Sequence, residues 1–161
     1  MPLKVNNRIF LDTNILVGDF LYRNPQYDKT TKNPNAIHAY NALRTIRKSR
    51  KHRTYIASFS LPRLASLLQG YKVPKSLVIQ ELEDLLQRNS IVGLSAALIQ
   101  VALDDFKHDK AVKDVEDALQ FVVCRDNNCY TMLTANTKDF KNVFNVDVKH
   151  PSQYRSIAGL V

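Results

Sequence analysis

The sequence is short of the residues that staple or punctuate a chain. It holds only two cysteines and four glycines in 161 residues. Cys124 and Cys129 cannot form a disulfide framework, and no accompanying Cys/His set gives zinc spacing. His38, His52, His108 and His150 are likewise scattered without metal-ligand spacing. A reduced, cytoplasmic setting is the simple expectation. No apolar run approaches the roughly 18–20 residues of a membrane span. The opening Met1-Pro2-Leu3-Lys4-Val5 lacks the apolar core of a signal peptide. Nothing resembles a glycine-rich phosphate loop, which argues against a nucleotide cofactor. Acid is also scarce: 15 Asp and Glu face 23 Lys and Arg, for a net charge of +8 and a pI near 9.6.

What is present is the composition of an ordinary globular protein, with 45% hydrophobic and 24% charged residues. The length favours one domain over 1–161, large enough to bury a core without staples. The positive balance favours a polyanionic partner. Much of that charge falls between residues 44 and 53, with Arg47, Lys48, Arg50, Lys51 and Arg53 as candidate nucleic-acid contacts. A helix end bathed in solvent explains the same run, because cations suit a helix C-terminus.

Apolar periodicity alternates between strand and helix. Strand-like runs fall at 8–12, 54–57, 91–94, 129–133 and within 143–148. Helical spacing covers 13–21, 35–49, a segment from 60 to about 70, a segment from about 74 with Leu77, Val78, Leu82, Leu85 and Leu86 as its stripe, 95–106, 114–125 and a terminal stretch from Pro151. Ser60 is placed to cap its helix, with Pro62 in the first turn and Gly70 just past the end. Glu81, Glu83 and Asp84 fall opposite the apolar stripe and read as a solvated face. The alternation predicts an α/β domain with a mostly parallel sheet.

Three acidic positions share one arrangement. Asp12 ends the apolar run Ile9-Phe10-Leu11. Asp117 lies in the first turn of the helix opened by Asp114. Asp139 lies just past a strand, in Thr134-Ala135-Asn136-Thr137-Lys138-Asp139-Phe140. Each has a plain alternative: Asp12 can cap the next helix, Asp114 and Asp117 can cap theirs and complement its dipole, and Asp139 can serve a turn. Parallel strands would bring Asp12 and the 134–139 loop to one sheet edge, where α/β folds bind ligands. Clustered carboxylates need a cation among them, and Mg²⁺ or Mn²⁺ suits oxygen ligands. An acidic pocket in a basic protein suits metal-assisted phosphodiester hydrolysis.

These segments carry a resemblance to the PIN (PilT N-terminus) domain family, which includes VapC-like endoribonuclease toxins. The matching stretches are Ile9-Phe10-Leu11-Asp12-Thr13-Asn14-Ile15-Leu16, Val115-Glu116-Asp117-Ala118-Leu119-Gln120 and Leu133-Thr134-Ala135-Asn136-Thr137-Lys138-Asp139-Phe140. The ordered trio is more specific than any one stretch, and it covers nearly the whole chain. The resemblance implies a PIN-like three-layer α/β/α fold and a metal-dependent ribonuclease. It implies Asp12, Asp117 and Asp139 as catalytic metal ligands, with Glu116 as a further ligand. Thr13, Asn14, Asp114, Thr134 and Asn136 are the supporting polar residues. It also implies Mg²⁺ or Mn²⁺, an RNA substrate, an antitoxin protein and a homodimer.

One departure stands out. Many members carry a Glu at the start of the helix after the second strand. Here that stretch is Ser58-Phe59-Ser60-Leu61-Pro62-Arg63-Leu64-Ala65-Ser66-Leu67, without an acid, and Arg63 sets a positive charge there and joins the candidate RNA contacts. The departure keeps open a second reading, a PIN-like module that binds RNA or protein without cutting. A phosphatase using Asp12 as nucleophile is a third, disfavoured because position 14 is Asn where a second Asp is expected. Tyr55 and Phe59 could stack on bases, although Phe59 reads better as core. Cys124 reads as a small core residue.

Overall fold

The computed structural model describes residues 7–28, 34–109, 112, 114–140 and 146–158; the side chains of 34, 139 and 155–158 lie outside the description. Five short parallel strands carry the fold: β1 (Arg8–Leu11), β2 (Arg53–Ala57), β3 (Ser90–Val92), β4 (Thr131–Leu133) and β5 (Asp147–Lys149). Their order across the sheet is β3-β2-β1-β4-β5. Every neighbouring pair is parallel. Each crossover therefore needs a connection over a face; helices supply it from β1 through β4, and the described part of the β4–β5 connection holds a short 3₁₀ turn, Thr137–Phe140.

Helices α1 (Thr13–Arg23), α2 (Pro34–Lys48), α3 (Ser60–Gly70), α4 (Lys75–Arg88) and α7 (Pro151–Ala158) contribute to the core over one face; α6 (Val115–Asp126) covers the other, with α5 (Ala96–His108) packed against it. The strand period of two divides the core accordingly. Ile9, Leu11, Ile56 and Leu133 join Ile15, Phe20, Leu43, Leu64 and Leu68. Phe10, Tyr55, Ala57 and Met132 join Phe121, Val123 and Cys124. A sheet buried on both faces accounts for strands that read as continuous apolar runs. Gly18 lets α1 and α2 approach closely: a Cβ there would stand 3.1 Å from the Ala39 Cβ. Among the described residues, no helix is long and apolar enough to cross a membrane.

The expected elements are all present, with ends moved by a few residues. Other expectations need correction. Tyr55 is buried, with the Arg8 guanidinium 5.8 Å from its ring centre, so it offers no face for base stacking. Phe59 packs beside the same core cluster. Ser60 is the first helical residue rather than the cap, and its buried hydroxyl finds no partner. Gly70 is the last residue of α3. Leu86 is 53% exposed, outside the stripe it was expected to join.

The largest correction is Glu81. It is buried, not part of a solvated face. Its carboxylate accepts from Arg23 Nη2 at 2.6 Å. Arg23 also bonds Asp19 through Nε at 3.1 Å, and Arg47 Nη2 approaches the same Asp19 oxygen at 3.7 Å. The carboxyl side chains of Asp19 and Glu81 are 2% and 7% exposed, so Arg23 bridges two buried acids on different helices and Arg47 supplies the second positive charge. Periodicity could not find this, because a paired carboxylate can occupy a core-facing position that a lone one cannot. Removing the cation leaves uncompensated buried charge, which destabilises by roughly 3–5 kcal/mol. Arg23→Met is therefore expected to lower unfolding stability by about 3 kcal/mol in urea titrations. Glu83→Gln, on the exposed side of α4, should stay within about 0.5 kcal/mol of wild type.

Candidate active site

The strand order reverses between β1 and β4: the chain leaves β1 for β2 on one side and later places β4 on the other. Parallel α/β sheets open a crevice at such a point, outside the carboxyl ends of the strands. Asp12 follows β1 and Thr134 follows β4, so both enter this crevice. The Asp12 N–H donates to the Leu133 carbonyl at 3.0 Å, extending the β1–β4 ladder to the site itself.

Asp12 stands at the N-cap position of α1, yet its carboxylate makes no capping bond there. It is 6% exposed and turned into a set of neutral donors. Oδ2 accepts from Asn14 Nδ2 at 2.7 Å and from the Thr134 hydroxyl at 2.6 Å. Oδ1 accepts from Gln120 Nε2 at 3.0 Å. Asn14 is fixed in turn by Thr134 Oγ1 at 3.2 Å and by the Ala135 N–H, which donates to its Oδ1 at 3.0 Å. The Asn136 N–H donates to Thr134 Oγ1 at 3.1 Å. Asn136 thus enters the network through its backbone, while its side chain is exposed.

Helix α6 supplies the opposite wall. Asp114 caps it, accepting from the Glu116 N–H at 2.7 Å, so the capping alternative is realised for Asp114 and not for Asp12. Glu116 and Asp117 form the acidic first turn, where the helix dipole favours negative charge. Gln120 lies three and four residues further on, so one face carries all three side chains. Gln120 also donates to Thr13 Oγ1 at 3.1 Å, while its own Oε1 is buried without a partner. Gln120 was not singled out from sequence. Its i+3 spacing from Asp117 is the signal that places it beside the acids.

Burial pushes the Asp12 carboxyl above its ordinary range. The Thr134 hydroxyl and the Thr13 N–H pull it back, the charge of Glu116 pushes it up again, and the Asn14 amide opposes that. Asp12 therefore resists ionisation in the protein alone and would gain from a nearby cation. Among the described residues no three His, Cys, Asp or Glu side chains form a ready-made metal cage. The donors fit a hard ion all the same: carboxylate oxygens and the unpartnered Gln120 Oε1, with no nitrogen or sulfur ligand. Mg²⁺ typically takes one or two carboxylates and keeps several waters.

The remaining candidates separate. Asp139 lies on a short 3₁₀ turn, Thr137–Phe140, and its side chain is outside the described residues. Arg47, Lys48, Arg50, Lys51 and Arg53 run from the end of α2 to the start of β2, the sheet edge opposite Asp12. Arg53 pairs with Arg8, so its backbone stands about 13 Å, four strand steps, from the end of β1 that carries Asp12. Arg47 and Lys48 complement the α2 C-terminus, and Arg47 also approaches Asp19. Arg63 alone of the basic candidates reaches the acids, with Nε 3.7 Å from Glu116 Oε2.

No family model matches this chain, and no curated protein matches it. Solved structures do resemble it in fold. A chain in the crystal structure of VapBC2 from Rickettsia felis, bound to a DNA fragment from its promoter, superposes with a TM-score of 0.62 at 21% identity, covering 89% of this chain and 98% of that one. A toxin–antitoxin complex from Klebsiella pneumoniae gives 0.59 at 18% identity, covering 89% and 97%. VapC20 of Mycobacterium tuberculosis, described as a toxin that cleaves the sarcin–ricin loop, gives 0.61 at 14% identity, covering 86% and 98%. The class is thereby defined: a five-stranded parallel sheet between helices, the PIN-like α/β fold of VapC proteins.

The geometry makes Asp12 a destabilising residue in the protein alone. The folded state holds its proton more tightly than the unfolded chain does. Ionisation therefore lowers stability as the pH rises above the ordinary value of 3.8 and through the raised one. In Asp12→Asn, the new amide oxygen accepts from Asn14 and Thr134, and its NH₂ meets Gln120 Oε1 once that amide turns. We expect the variant, free of metal at pH 7, to be about 1 kcal/mol more stable. That corresponds to a rise of roughly 2–4 °C in Tm. The gain should vanish as the pH falls below the ordinary value of 3.8. A variant less stable than wild type at pH 7 without metal refutes the account of Asp12 burial.

Proposed function

We propose that this chain is a metal-dependent endoribonuclease that hydrolyses RNA phosphodiester bonds, and the toxin of a toxin–antitoxin pair. The observation that carries the reading is the Asp12 carboxylate: it stands at a helix start without capping it, and is held by Asn14, Thr134 and Gln120 beside the acidic first turn of α6. A structural acid in that position would cap. Instead it is oriented at the crevice where this fold binds ligands. The likeness to the toxin–antitoxin complex from Klebsiella pneumoniae and to VapC20, described as a toxin that cleaves the sarcin–ricin loop, supports the same reading.

Asp12 and Asp117 would hold Mg²⁺ or Mn²⁺, with Glu116 and Asp139 as additional acids. A bound divalent ion supplies positive charge for the transition state and makes a water nucleophilic near neutral pH. The chain's own residues do the positioning. Thr134 and Asn14 fix one oxygen of Asp12, so the carboxylate needs no reorganisation when the substrate arrives. Gln120 ties that carboxylate to α6. Lys and Arg on the protein attract the RNA backbone.

Asp12→Asn and Asp117→Asn are each expected to reduce Mn²⁺-dependent cleavage of a structured RNA by at least about 10²-fold, with unchanged circular dichroism. Cleavage by either variant at the wild-type rate rules out this site. The second reading, a PIN-like module that binds RNA or protein without cutting, draws on Arg63, where an acid is usual, and on the absence of a ready-made cage among the described residues. Calorimetric titration separates the two. Mn²⁺ binding that is lost in Asp12→Asn supports the nuclease, and no binding at millimolar metal supports the module.

A further inference from the structure

We propose that Arg63 is the resident cation of the site: it balances Glu116 at rest, binds an RNA phosphate oxygen when substrate enters, and limits the site to one divalent ion. This rests on the nuclease reading and names how its charge is met.

The position of Arg63 is electrostatically unfavourable by itself. It is the fourth residue of α3, near the positive end of the helix dipole. Its ion pair with Glu116 spans from α3 to α6, and the two side chains are 53% and 37% exposed. A pair so exposed adds little to stability. The fold therefore gains almost nothing by placing a guanidinium here, whereas the site gains a cation at its rim. The planar fork of arginine suits two-point contact with a phosphate, and its exposure leaves it reachable.

The carboxylate geometry limits the ion count. An ionised carboxylate offers about four lone-pair directions. Asn14 and Thr134 occupy both on Oδ2, and Gln120 takes one on Oδ1. The Thr13 N–H accounts for the last direction, so an ion at Asp12 displaces one of these donors and Asp12 cannot bridge two. Glu116, the acid best placed to recruit another, is paired with Arg63. In two-ion nucleases the second ion stabilises charge on the reacting phosphate. A guanidinium can fill that role, as arginine does in other phosphoryl-transfer sites.

The test combines Mn²⁺ calorimetry, binding of a non-cleavable DNA oligonucleotide, and RNA cleavage, all on the full chain. Wild type should bind one Mn²⁺. Arg63→Glu, which suits a helix start, should bind a second ion or bind Mn²⁺ at least tenfold tighter, while holding the oligonucleotide several-fold more weakly. Arg63→Ala should keep Mn²⁺ binding but lower kcat by roughly 10²-fold, with Arg63→Lys recovering part of that loss. Two ions in wild type overturn the proposal, as does wild-type behaviour of Arg63→Glu and Arg63→Ala in all three assays. If wild type binds Mn²⁺ and loses it in Asp12→Asn while the Arg63 variants stay silent, only this inference fails. If wild type binds no Mn²⁺ and does not cleave, the nuclease reading fails and takes the inference with it.

Discussion

The Thr134 hydroxyl donates to the Asp12 carboxylate at 2.6 Å, one step beyond the point where the Asp12 N–H meets the Leu133 carbonyl. Backbone pairing and side-chain pairing thus coincide where the sheet reverses its order. The β1–β4 register determines which residues face each other across the crevice. A slip of one residue would send the slipped strand's Leu11 or Leu133 to the other face and separate Asp12 from Thr134. Burial protects the register, because Ile9, Leu11 and Leu133 are committed to one core layer and Phe10 and Met132 to the other.

The two charge systems of the protein obey different rules. Asp19 and Glu81 meet Arg23 and Arg47 inside the helical layer, and their charges are neutralised locally. Asp12 is nearly as buried but is met by amides and hydroxyls, which supply no charge. The first arrangement holds α1 and α4 together. The second leaves a carboxylate in want of a cation, the usual condition of a functional acid. Arg63 lies between these cases, a cation with one exposed acid as its partner.

Much of the architecture was legible in the sequence because the inner strands β1, β2 and β4 are largely buried and most strands are followed by a helical period. Ile9-Phe10-Leu11 and Thr131-Met132-Leu133 read as strands, and parallel pairing brings Asp12 and Thr134 to one edge. Residues whose role depends on a partner distant in the chain were not legible. Glu81 read as solvated because Arg23, 58 positions away, could not be anticipated as its partner. Gln120 was passed over because its meaning depends on Asp12, 108 positions away. The 44–53 basic run was visible, but its place at the opposite edge of the sheet followed only from the pairing of Arg8 with Arg53.

The separation of the two halves of the crevice has a consequence for the life of the chain as it is made. Asp12 and Thr134 are 122 residues apart, and β4 follows six of the seven α-helices among the described residues. Domains are synthesised from the N-terminus, and contacts of long sequence separation form late. While the ribosome is still working through α5, Asp12 has neither its Thr134 hydroxyl nor its α6 wall, and β1 has a bare edge. The crevice comes into being only once β4 has been made, so a chain ended before it is without the crevice, whatever its N-terminal part has already folded.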